Sequence, residues 1–319
     1  SKGLAKGMVV NLNEARESIR DSVRIAEKTA GYKLESAYVG VTGRHVSSVN
    51  NRGAIAISRN DRLVKPEDLK RVLEVARTIE VPNDQKVLHV IPRAYSVDGQ
   101  DGVKNPVGMH GFRLDVETHV ITAAVTSVQN LTKCVRSIGI EIDDLILEPL
   151  ASAEAVLAQE ERLDGVLLAD IGGSTTDIAV FKDNTICYTS ILPVGGYQIS
   201  RDISIGLGLP FEAAEDMKKK YGNITPTGNA QGAEDRSITY GQQTISANDL
   251  NDIIRARMDE LTRLIVMELP DKDYSHYIPS GLVITGGGAN LTGIIESARD
   301  ITRFPVRLGT PVNLPGVSD

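Results

Sequence analysis

The chain has 319 residues, which at ~150 residues per domain indicates about two domains. Apolar residues make up 41 % and charged residues 24 % of it, and this ordinary composition excludes a disordered, collagen-like or coiled-coil protein. Aromatic residues are only 4 % and the net charge is -7, so the chain lacks the stacking and basic surfaces of a nucleic-acid-binding protein. Binding of a single nucleotide remains open, because backbone N–H groups can hold a phosphate locally.

Two cysteines, Cys134 and Cys187, are too few and too far apart for a disulfide framework or a zinc cluster, which predicts a cytosolic protein with reduced thiols. No apolar run approaches the ~20 residues of a membrane span, and the sequence does not open with a signal peptide. The chain starts without Met and ends in a loop over residues 311–319, so both ends are expected to be cut from a longer protein.

The first predicted elements are a helix over residues 13–30, with Asn13 as its N-cap and Gly31 at its end, and a strand over residues 37–42. A stretch of different character follows from residue 45 to residue 118. It holds a β-like run, a helix that Pro66 opens, a second β-like run and a glycine-rich loop. We interpret this β-α-β segment as a small module inserted into a larger fold.

The parent fold then resumes with alternating strands and helices, which indicates an α/β protein. The predicted elements are a strand over 119–125, a helix over 127–139 with Ser127 as N-cap, a strand over 140–147, a helix over 149–158, strands over 166–170, 177–181 and 185–192, a helix from Ser200, a helix over 211–221, a polar loop over 222–238, a helix over 248–269, a strand over 282–285 and a terminal helix and strand.

The segment from Asp170 to Thr176 reads Asp-Ile-Gly-Gly-Ser-Thr-Thr and lies between two strand-like runs. A dinucleotide-binding glycine turn leads from a strand into a helix, so this loop is instead predicted to be the tip of a β-hairpin. Gly172 and Gly173 would let the backbone approach an anion and offer it consecutive N–H groups. A tight structural turn is the alternative, because Asp-X-Gly-Gly occurs in many turns.

Three side chains of this loop have candidate roles. Thr175 and Thr176 would add hydroxyl donors to a phosphate. Asp170, at the end of an apolar strand, would hold the water shell of a divalent cation that bridges phosphates.

A second glycine loop, Gly286-Gly287-Gly288-Ala289, follows a strand. Three successive glycines leave no side chain between the backbone and a flat ligand, which suits an adenine base or a phosphate. Alternatively, the three glycines form an ordinary turn between a strand and a helix and bind no ligand.

Two further places carry candidate side chains. Glu215 and Lys218 lie three residues apart on one helix face. There they would form hydrogen bonds with ribose hydroxyls or, alternatively, an ordinary ion pair with each other. Glu148 ends a strand before Pro149, where it would orient a water near the phosphates or lie in a surface turn.

The order and spacing of these motifs resemble the superfamily of actin, sugar kinases and heat-shock chaperones. Asp170–Asp177 is similar to its second phosphate loop, Glu148–Ala153 to its connecting helix and Thr285–Ala289 to its adenosine loop. Within the superfamily the chain resembles the FtsA family of bacterial cell-division proteins over nearly its whole length. The more specific motifs are Ser1–Leu4, Asn105–Leu114, Pro193–Gly196 and Ala214–Lys218.

The resemblance implies an actin-like ATPase fold of two lobes with a nucleotide cleft and an inserted subdomain, 1C. The subdomains would be 1A over residues 1–44 and 119–165, 1C over 45–118, 2A over 166–209 and 276–319, and 2B over 210–275. It implies that ATP and Mg2+ bind to residues of the motifs above: Glu148 and Asp170 in catalysis, Asp170 also at Mg2+ through water, and Gly172, Gly173, Ser174, Thr175, Thr176, Gly195, Gly196, Glu215, Lys218, Gly286, Gly287, Gly288 and Ala289 at the nucleotide.

The function implied is that of an ATP-dependent assembly protein, at most a slow ATPase, that forms filaments and tethers the FtsZ ring to the membrane at the division site. Arg255 and Arg257, in subdomain 2B, would receive the acidic and apolar C-terminal tail of FtsZ. No nucleic-acid partner is expected. The family's first phosphate loop lies ahead of the region that matches Ser1, and its C-terminal membrane helix lies beyond Asp319. The chain is therefore expected to bind ATP weakly, and its membrane contact would depend on that helix.

Two alternatives within the superfamily stay open. A sugar or acetate kinase would need a base beside a polar substrate cleft, and no cluster of residues is committed to that role. A pilus-assembly scaffold similar to PilM is disfavoured by the motif at Asn105–Leu114.

Overall fold

The structure is a computed structural model that describes residues 2–226, 237–241, 243–269 and 277–311. Parts of the predicted polar loop at 222–238 and of the terminal loop at 311–319 lie outside these residues. Contacts divide the chain into two units. The first comprises Ser1–Ala151 and Ala179–Ser190, and the second Ser152–Ile178 and Ile191–Asp319.

The first unit opens with a short hairpin, β1 (Leu4–Ala5) and β2 (Met8–Val9), followed by helix α1 (Leu12–Ala30). The N-cap of α1 is Asn11 and not Asn13 as predicted. Asn11 has an extended backbone, and its side-chain oxygen accepts the N–H groups of Asn13 and Glu14 at 3.1 and 3.3 Å. The predicted end is confirmed, because Gly31 adopts a left-handed φ of 79°.

Strand β3 (Ser36–Val41) precedes the inserted module, which consists of β4 (Val46–Ala56), α2 (Pro66–Arg77), β5 (Gln85–Val97), β6 (Gln100–Val103) and β7 (Arg113–Ala124). Its strands form an antiparallel sheet in the order β4-β7-β5-β6. One face of the sheet is covered by α2. At Gly53 the two elements approach so closely that a Cβ would lie 2.7 Å from the backbone nitrogen of Ala76.

The module has four strands, whereas the predicted β-α-β segment has two. The additional strands are β6, at one edge of the sheet, and β7, in its interior. Residues 119–125 are predicted as a strand of the parent fold, but residues 119–124 are the second half of β7, which pairs with both β4 and β5. The predicted boundary between residues 118 and 119 therefore falls inside a strand. In the first half of β7, buried Leu114 and Val116 alternate with the acidic Asp115 and Glu117. This alternation is typical of a strand, and the predicted elements did not include it.

The first unit continues with α3 (Val125–Arg136) and β8 (Glu141–Leu147), which runs parallel to β3. The N-cap of α3 is Ala124 and not the predicted Ser127, so this helix begins without a side-chain cap. Next come α4 (Glu148–Val156) and a short helix, α5 (Gln159–Asp164), which was not predicted.

The remaining elements belong mainly to the second unit: β9 (Val166–Ile171), β10 (Thr176–Lys182), β11 (Thr185–Leu192), α6 (Gly196–Gly206), α7 (Phe211–Tyr221), β12 (Ser237–Tyr240), β13 (Gln243–Ser246), α8 (Ala247–Met267), β14 (Leu282–Thr285), α9 (Ile294–Thr302) and β15 (Val306–Leu308). The larger sheet has the order β11-β10-β9-β14-β15.

Strand β14 runs parallel to β9 on one side and to β15 on the other. Residues Val166–Ala169 of β9 are all fully buried, and so are Leu282 and Val283 of β14. Such continuous apolar runs are typical of the interior strands of a parallel sheet. Among the described residues, no helix is both long and apolar enough to cross a membrane.

Candidate functional site

The two predicted glycine loops emerge from the same edge of the larger sheet. Strands β9 and β14 are parallel neighbours, and Thr285 at the end of β14 pairs with Asp170 near the end of β9. The carboxyl ends of neighbouring parallel strands are where ligands of α/β proteins bind. The prediction of a hairpin is also confirmed, because the loop after β9 leads directly into its sheet neighbour β10.

Gly286 and Gly288 bring the two loops into contact. A Cβ at Gly286 would lie 2.2 Å from Oδ1 of Asp170, and Gly286 has a left-handed φ of 83°. A Cβ at Gly288 would lie 2.4 Å from Cγ2 of Ile171. Both glycines are therefore required for packing of the second loop against the end of β9.

The Asp170 loop is held by internal hydrogen bonds. Gly172 donates its N–H to the carbonyl of Thr175 at 2.9 Å. The Asp170 carboxylate accepts the hydroxyl of Ser152, which lies on α4. This bond fixes the carboxylate at the strand end, and Ser152 is a site residue that the sequence did not predict.

One of the two threonines predicted to donate to phosphate already has an acceptor within the chain. The hydroxyl of Thr176 donates to the carbonyl of Val194 at 2.8 Å, and Thr176 is fully buried. Thr175 is 5 % exposed. A hydroxyl has one hydrogen to donate, so Thr176 holds the neighbouring turn and does not present a donor to a ligand.

The N–H groups of Gly195 and Gly196 also have partners within the chain, and the predicted contacts of these glycines with nucleotide stay predictions. The N–H of Gly196 donates to the carbonyl of Gly172 at 2.9 Å, and the N–H of Gly195 donates to the side chain of Gln198. A Cβ at Gly195 would lie 2.6 Å from the carbonyl oxygen of Gly172. These glycines let the start of α6 pack on the Asp170 loop, and their N–H groups are already used.

Lys218 also forms hydrogen bonds within the chain, which connect α7 to the start of α6. Its ammonium donates to the carbonyl of Gly196 at 2.9 Å, to the hydroxyl of Ser200 at 2.8 Å and to Oε2 of Glu215 at 2.7 Å. An ammonium has three hydrogens, so none is left for a ribose hydroxyl while these bonds hold. The predicted ribose contact of Lys218 therefore needs one of them to break.

Glu215 keeps an accepting oxygen. Burial opposes ionisation of its carboxyl group, but hydrogen bonds from Lys218, Ser200 and Lys219 outweigh burial and lower its pKa to about 2. The carboxylate is thus ionised at neutral pH, and Oε1 has Lys219 at 3.0 Å as its partner. Buried Ser200 was missed in the sequence, although it stands four residues after Gly196, one helical turn along α6.

Two glycines stand apart from the rest. Among the glycines that the structure describes, only Gly173 and Gly287 combine an ordinary φ with open space, since a Cβ at either would meet no atom within 4 Å. Neither packing nor backbone conformation accounts for glycine there. Ser174, beside Gly173, is half-buried, whereas Ala289, beside the second loop, is only 6 % exposed and offers little side-chain surface.

The remaining predicted side chains lie elsewhere. Glu148 begins α4 in the first unit, where its Cγ would lie 2.9 Å from a Cβ at Gly40. On α8, Arg255 pairs with Asp252 at 3.1 Å. Arg257 pairs with Asp202 and with Glu260, each at 2.5 Å. The catalytic role of Glu148, the partner role of the arginines and the cleft between two lobes stay predictions.

Metal binding by the protein alone is not indicated in the part of the chain that the structure describes, where no three His, Cys, Asp or Glu side chains are grouped to hold an ion. Mg2+ usually keeps several waters and binds through one or two carboxylates together with substrate phosphates. A single carboxylate at a strand end, as at Asp170, fits that mode.

Comparison with known proteins identifies the family. A profile described as "SHS2 domain inserted in FTSA" matches residues 43–122, and one described as "Cell division protein FtsA" matches residues 167–319. The cell division protein FtsA of Pseudomonas aeruginosa is 41 % identical over 100 % of this chain and 77 % of its own length. The chain belongs to the FtsA family of cell-division proteins. FtsA of Bacillus subtilis is 38 % identical over 100 % of the chain and 73 % of its own length.

Solved structures show the fold. The PilM-PilN type IV pilus biogenesis complex contains a chain with a TM-score of 0.66 and 18 % identity, covering 96 % of this chain and 77 % of that one. MreB 5 of Spiroplasma citri, crystallised with AMPPNP, has a TM-score of 0.50 and 23 % identity over 59 % of this chain and 60 % of its own. The predicted actin-like α/β fold with an inserted subdomain is thereby confirmed, and the FtsA family is favoured over the kinase and pilus-scaffold alternatives.

Proposed function

We propose that this member of the FtsA family binds ATP with Mg2+ at the two glycine loops of its second unit. The proposal rests on Gly173 and Gly287, which lie on loops that follow neighbouring parallel strands. At both positions a side chain would have room and the backbone φ is ordinary, so the fold alone does not require glycine. A ligand in close contact with the backbone of both loops would explain why glycine occurs at these two positions. The MreB relative of the same fold was crystallised with a nucleotide analogue.

Each residue of the proposed site is assigned a contact with the nucleotide or Mg2+ that suits its chemical groups. The backbone N–H groups of Gly173 and Ser174 would hold phosphate, because exposed N–H groups of a loop bind anions, whereas the N–H of Gly172 already donates to Thr175. Gly287 would lie under the base. Asp170 would hold the waters of Mg2+, which neutralises phosphate charge when it is bound. Glu215 would accept a ribose hydroxyl at Oε1. We expect the protein to be at most a slow ATPase.

Leucine substitutions test the site. Gly173→Leu and Gly287→Leu each place a side chain in open space, so the fold should persist while affinity for ATP falls by more than about tenfold, or more than about 1.4 kcal/mol. Gln159→Leu is the matched control, since it adds the same side chain at the exposed start of α5. Calorimetric titration with MgATP measures the affinities, and unchanged binding in both loop variants would refute the site.

The same family membership supports the assembly role. We propose that the protein self-associates into filaments and links the C-terminal tail of FtsZ to the cytoplasmic face of the membrane at the division site. Arg255 and Arg257 on α8 would contact the acidic tail, although both already pair with carboxylates. A tail carboxylate would therefore have to compete with Asp252, Asp202 and Glu260.

Fluorescence titration with an FtsZ tail peptide tests this docking. The double variant Arg255→Glu with Arg257→Glu should weaken tail binding by about tenfold or more, since it replaces attraction with repulsion at two positions. Arg136→Glu, an exposed arginine in the last turn of α3, is the charge-matched control for a single reversal. Equal affinity of the double variant and the unmodified chain would rule out these arginines as contacts.

A further inference from the structure

The two oxygens of the Glu215 carboxylate have different surroundings. Oε2 accepts the hydroxyl of Ser200 and the ammonium of Lys218, the latter at 2.7 Å. Oε1 lies 3.0 Å from the ammonium of Lys219. The side chain of Lys218 is 14 % exposed and that of Lys219 is 66 % exposed. Oε2 is therefore held by buried groups, whereas the partner of Oε1 is a solvated lysine that can move away.

Ser200 is the group that α6 contributes to this arrangement. It is fully buried and lies one helical turn after Gly196, whose N–H donates to the carbonyl of Gly172 in the Asp170 loop. The Ser200 oxygen is 3.2 Å from the carbonyl of Gly196, but its one hydrogen goes to the charged carboxylate, which is the stronger acceptor. The same oxygen accepts the ammonium of Lys218 at 2.8 Å. One buried hydroxyl thus binds both members of the ion pair.

These contacts orient the Glu215 side chain before any ligand arrives. A free glutamate side chain loses rotamer freedom when it binds, and this lost freedom lowers affinity. Because Oε2 is already fixed to α6, a ligand hydroxyl at Oε1 would meet an acceptor that is ionised and held in one direction. Such preorganisation increases the affinity of a contact without adding a new one.

The assignment of Ser200 rests on the proposed function, in which Glu215 accepts a ribose hydroxyl. We infer that Ser200 is a positioning residue for this contact and gives the site its preference for ribonucleotides over deoxyribonucleotides. Lys218 holds Oε2 together with Ser200 and does not contact the ribose. A site that binds a hydroxyl disfavours the analogue that lacks it. Lys219 can return to Oε1 when the hydroxyl is missing, so the preference should be moderate.

Calorimetric titration of the full chain with the Mg2+ complexes of ATP, 2′-deoxy-ATP and 3′-deoxy-ATP provides the test. In the unmodified chain, the analogue that lacks the contacted hydroxyl should bind about tenfold more weakly than ATP, and the two analogues reveal which hydroxyl that is. Ser200→Ala should reduce this ratio to about threefold or less. It should do so by weakening ATP more than the analogue, which a purely structural role of Ser200 would not do.

The matched control is Ser204→Ala. Ser204 lies one turn further along α6 and donates its hydroxyl to the carbonyl of Leu209 at 2.6 Å, so its loss should leave the ratio unchanged. Lys218→Met removes the other donor to Oε2 and should also lower the ratio, which keeps the test decisive if Ser200→Ala does not fold.

A double-mutant cycle then links the effect to the carboxylate. Glu215→Gln removes the charged acceptor and should by itself reduce the ratio. Adding Ser200→Ala to Glu215→Gln should reduce it no further, because residues that act through one contact are not additive. A further fall of similar size in the double variant would contradict the role of Ser200.

The inference is overturned if Ser200→Ala weakens ATP and both analogues equally, or if the unmodified chain binds all three equally. Either result leaves the proposed nucleotide site standing when Gly173→Leu still lowers the affinity for ATP. If the chain binds no ATP at all, the proposed function fails and the role of Ser200 fails with it.

Discussion

At the scale of single residues, the first unit contains a buried histidine whose charge state matters for stability. His119 is 1 % exposed, with Nδ1 at 2.7 Å from the side-chain oxygen of Asn50 and Nε2 at 3.1 Å from the hydroxyl of Thr189. Burial, helped by the charge of Arg93, lowers its pKa to about 4. The neutral ring is therefore the form that fits between its two partners.

Protonation of His119 should make the protein less stable at low pH. The folded pKa of about 4 lies below the ordinary 6.5, so the contribution of His119 is complete above pH 6.5 and is lost as the pH falls towards 4. The loss can reach about 3 kcal/mol in the free energy of unfolding. Urea denaturation at several pH values measures it, and His119→Gln should flatten the decline. Parallel declines in both proteins would mean that another group is responsible.

At the scale of elements, α1 shows how a helix start depends on backbone geometry. Asn11 and Asn13 are chemically identical candidates for its N-cap, and only Asn11 has its side-chain oxygen placed on the first N–H groups. The choice is set by the hairpin of β1 and β2. Val10 and Asn11 donate their N–H groups to the carbonyl of Gly3, which directs the chain into the helix.

The two asparagines therefore form a matched pair of mutations. Asn11→Ala should lower the free energy of unfolding by about 1 kcal/mol, because two N–H groups lose their acceptor. Asn13→Ala should change it by no more than a few tenths of a kcal/mol, or stabilise the helix slightly, because alanine favours helix interiors. Chemical denaturation of the two variants decides between the caps, and a larger loss for Asn13→Ala would contradict the structure.

At the scale of the whole molecule, the inserted module joins the rest of the chain at two adjacent points. Its first and last strands pair from Val46 with Ala123 onward, and the N–H of Ala124 donates to the carbonyl of His45 at 3.2 Å. A short linker can therefore join the two ends that remain when the module is removed. It contains neither Gly173 nor Gly287.

Replacement of residues 46–124 by a short Gly-Ser linker should leave ATP affinity within about threefold of the full chain, because distant sites are nearly independent. Self-association should be impaired, since we expect the module to contact a neighbouring subunit. Calorimetry and sedimentation measure the two properties. A matched deletion of residues 45–118 cuts β7 in half and should aggregate. If nucleotide binding is lost while assembly persists, the roles of the module and the loops are reversed.

Much of the fold was determined by the sequence alone. The strand over 185–192, the helix over 211–221 and the strand over 282–285 have the predicted bounds, because hydrophobic period and terminal residues are local signals. The glycine loops were also found in the sequence, because a run such as Gly286-Gly287-Gly288 has few local explanations.

What each glycine and each charge does was decided only by the tertiary structure. Gly286 touches Asp170, more than a hundred residues away in the chain, because β9 and β14 are neighbours in the sheet. Lys218 is bound to Gly196 and Ser200 for a similar reason, since α6 and α7 pack together. A sequence pattern names the groups that can bind a ligand, but packing determines which of their hydrogen bonds remain free to do so.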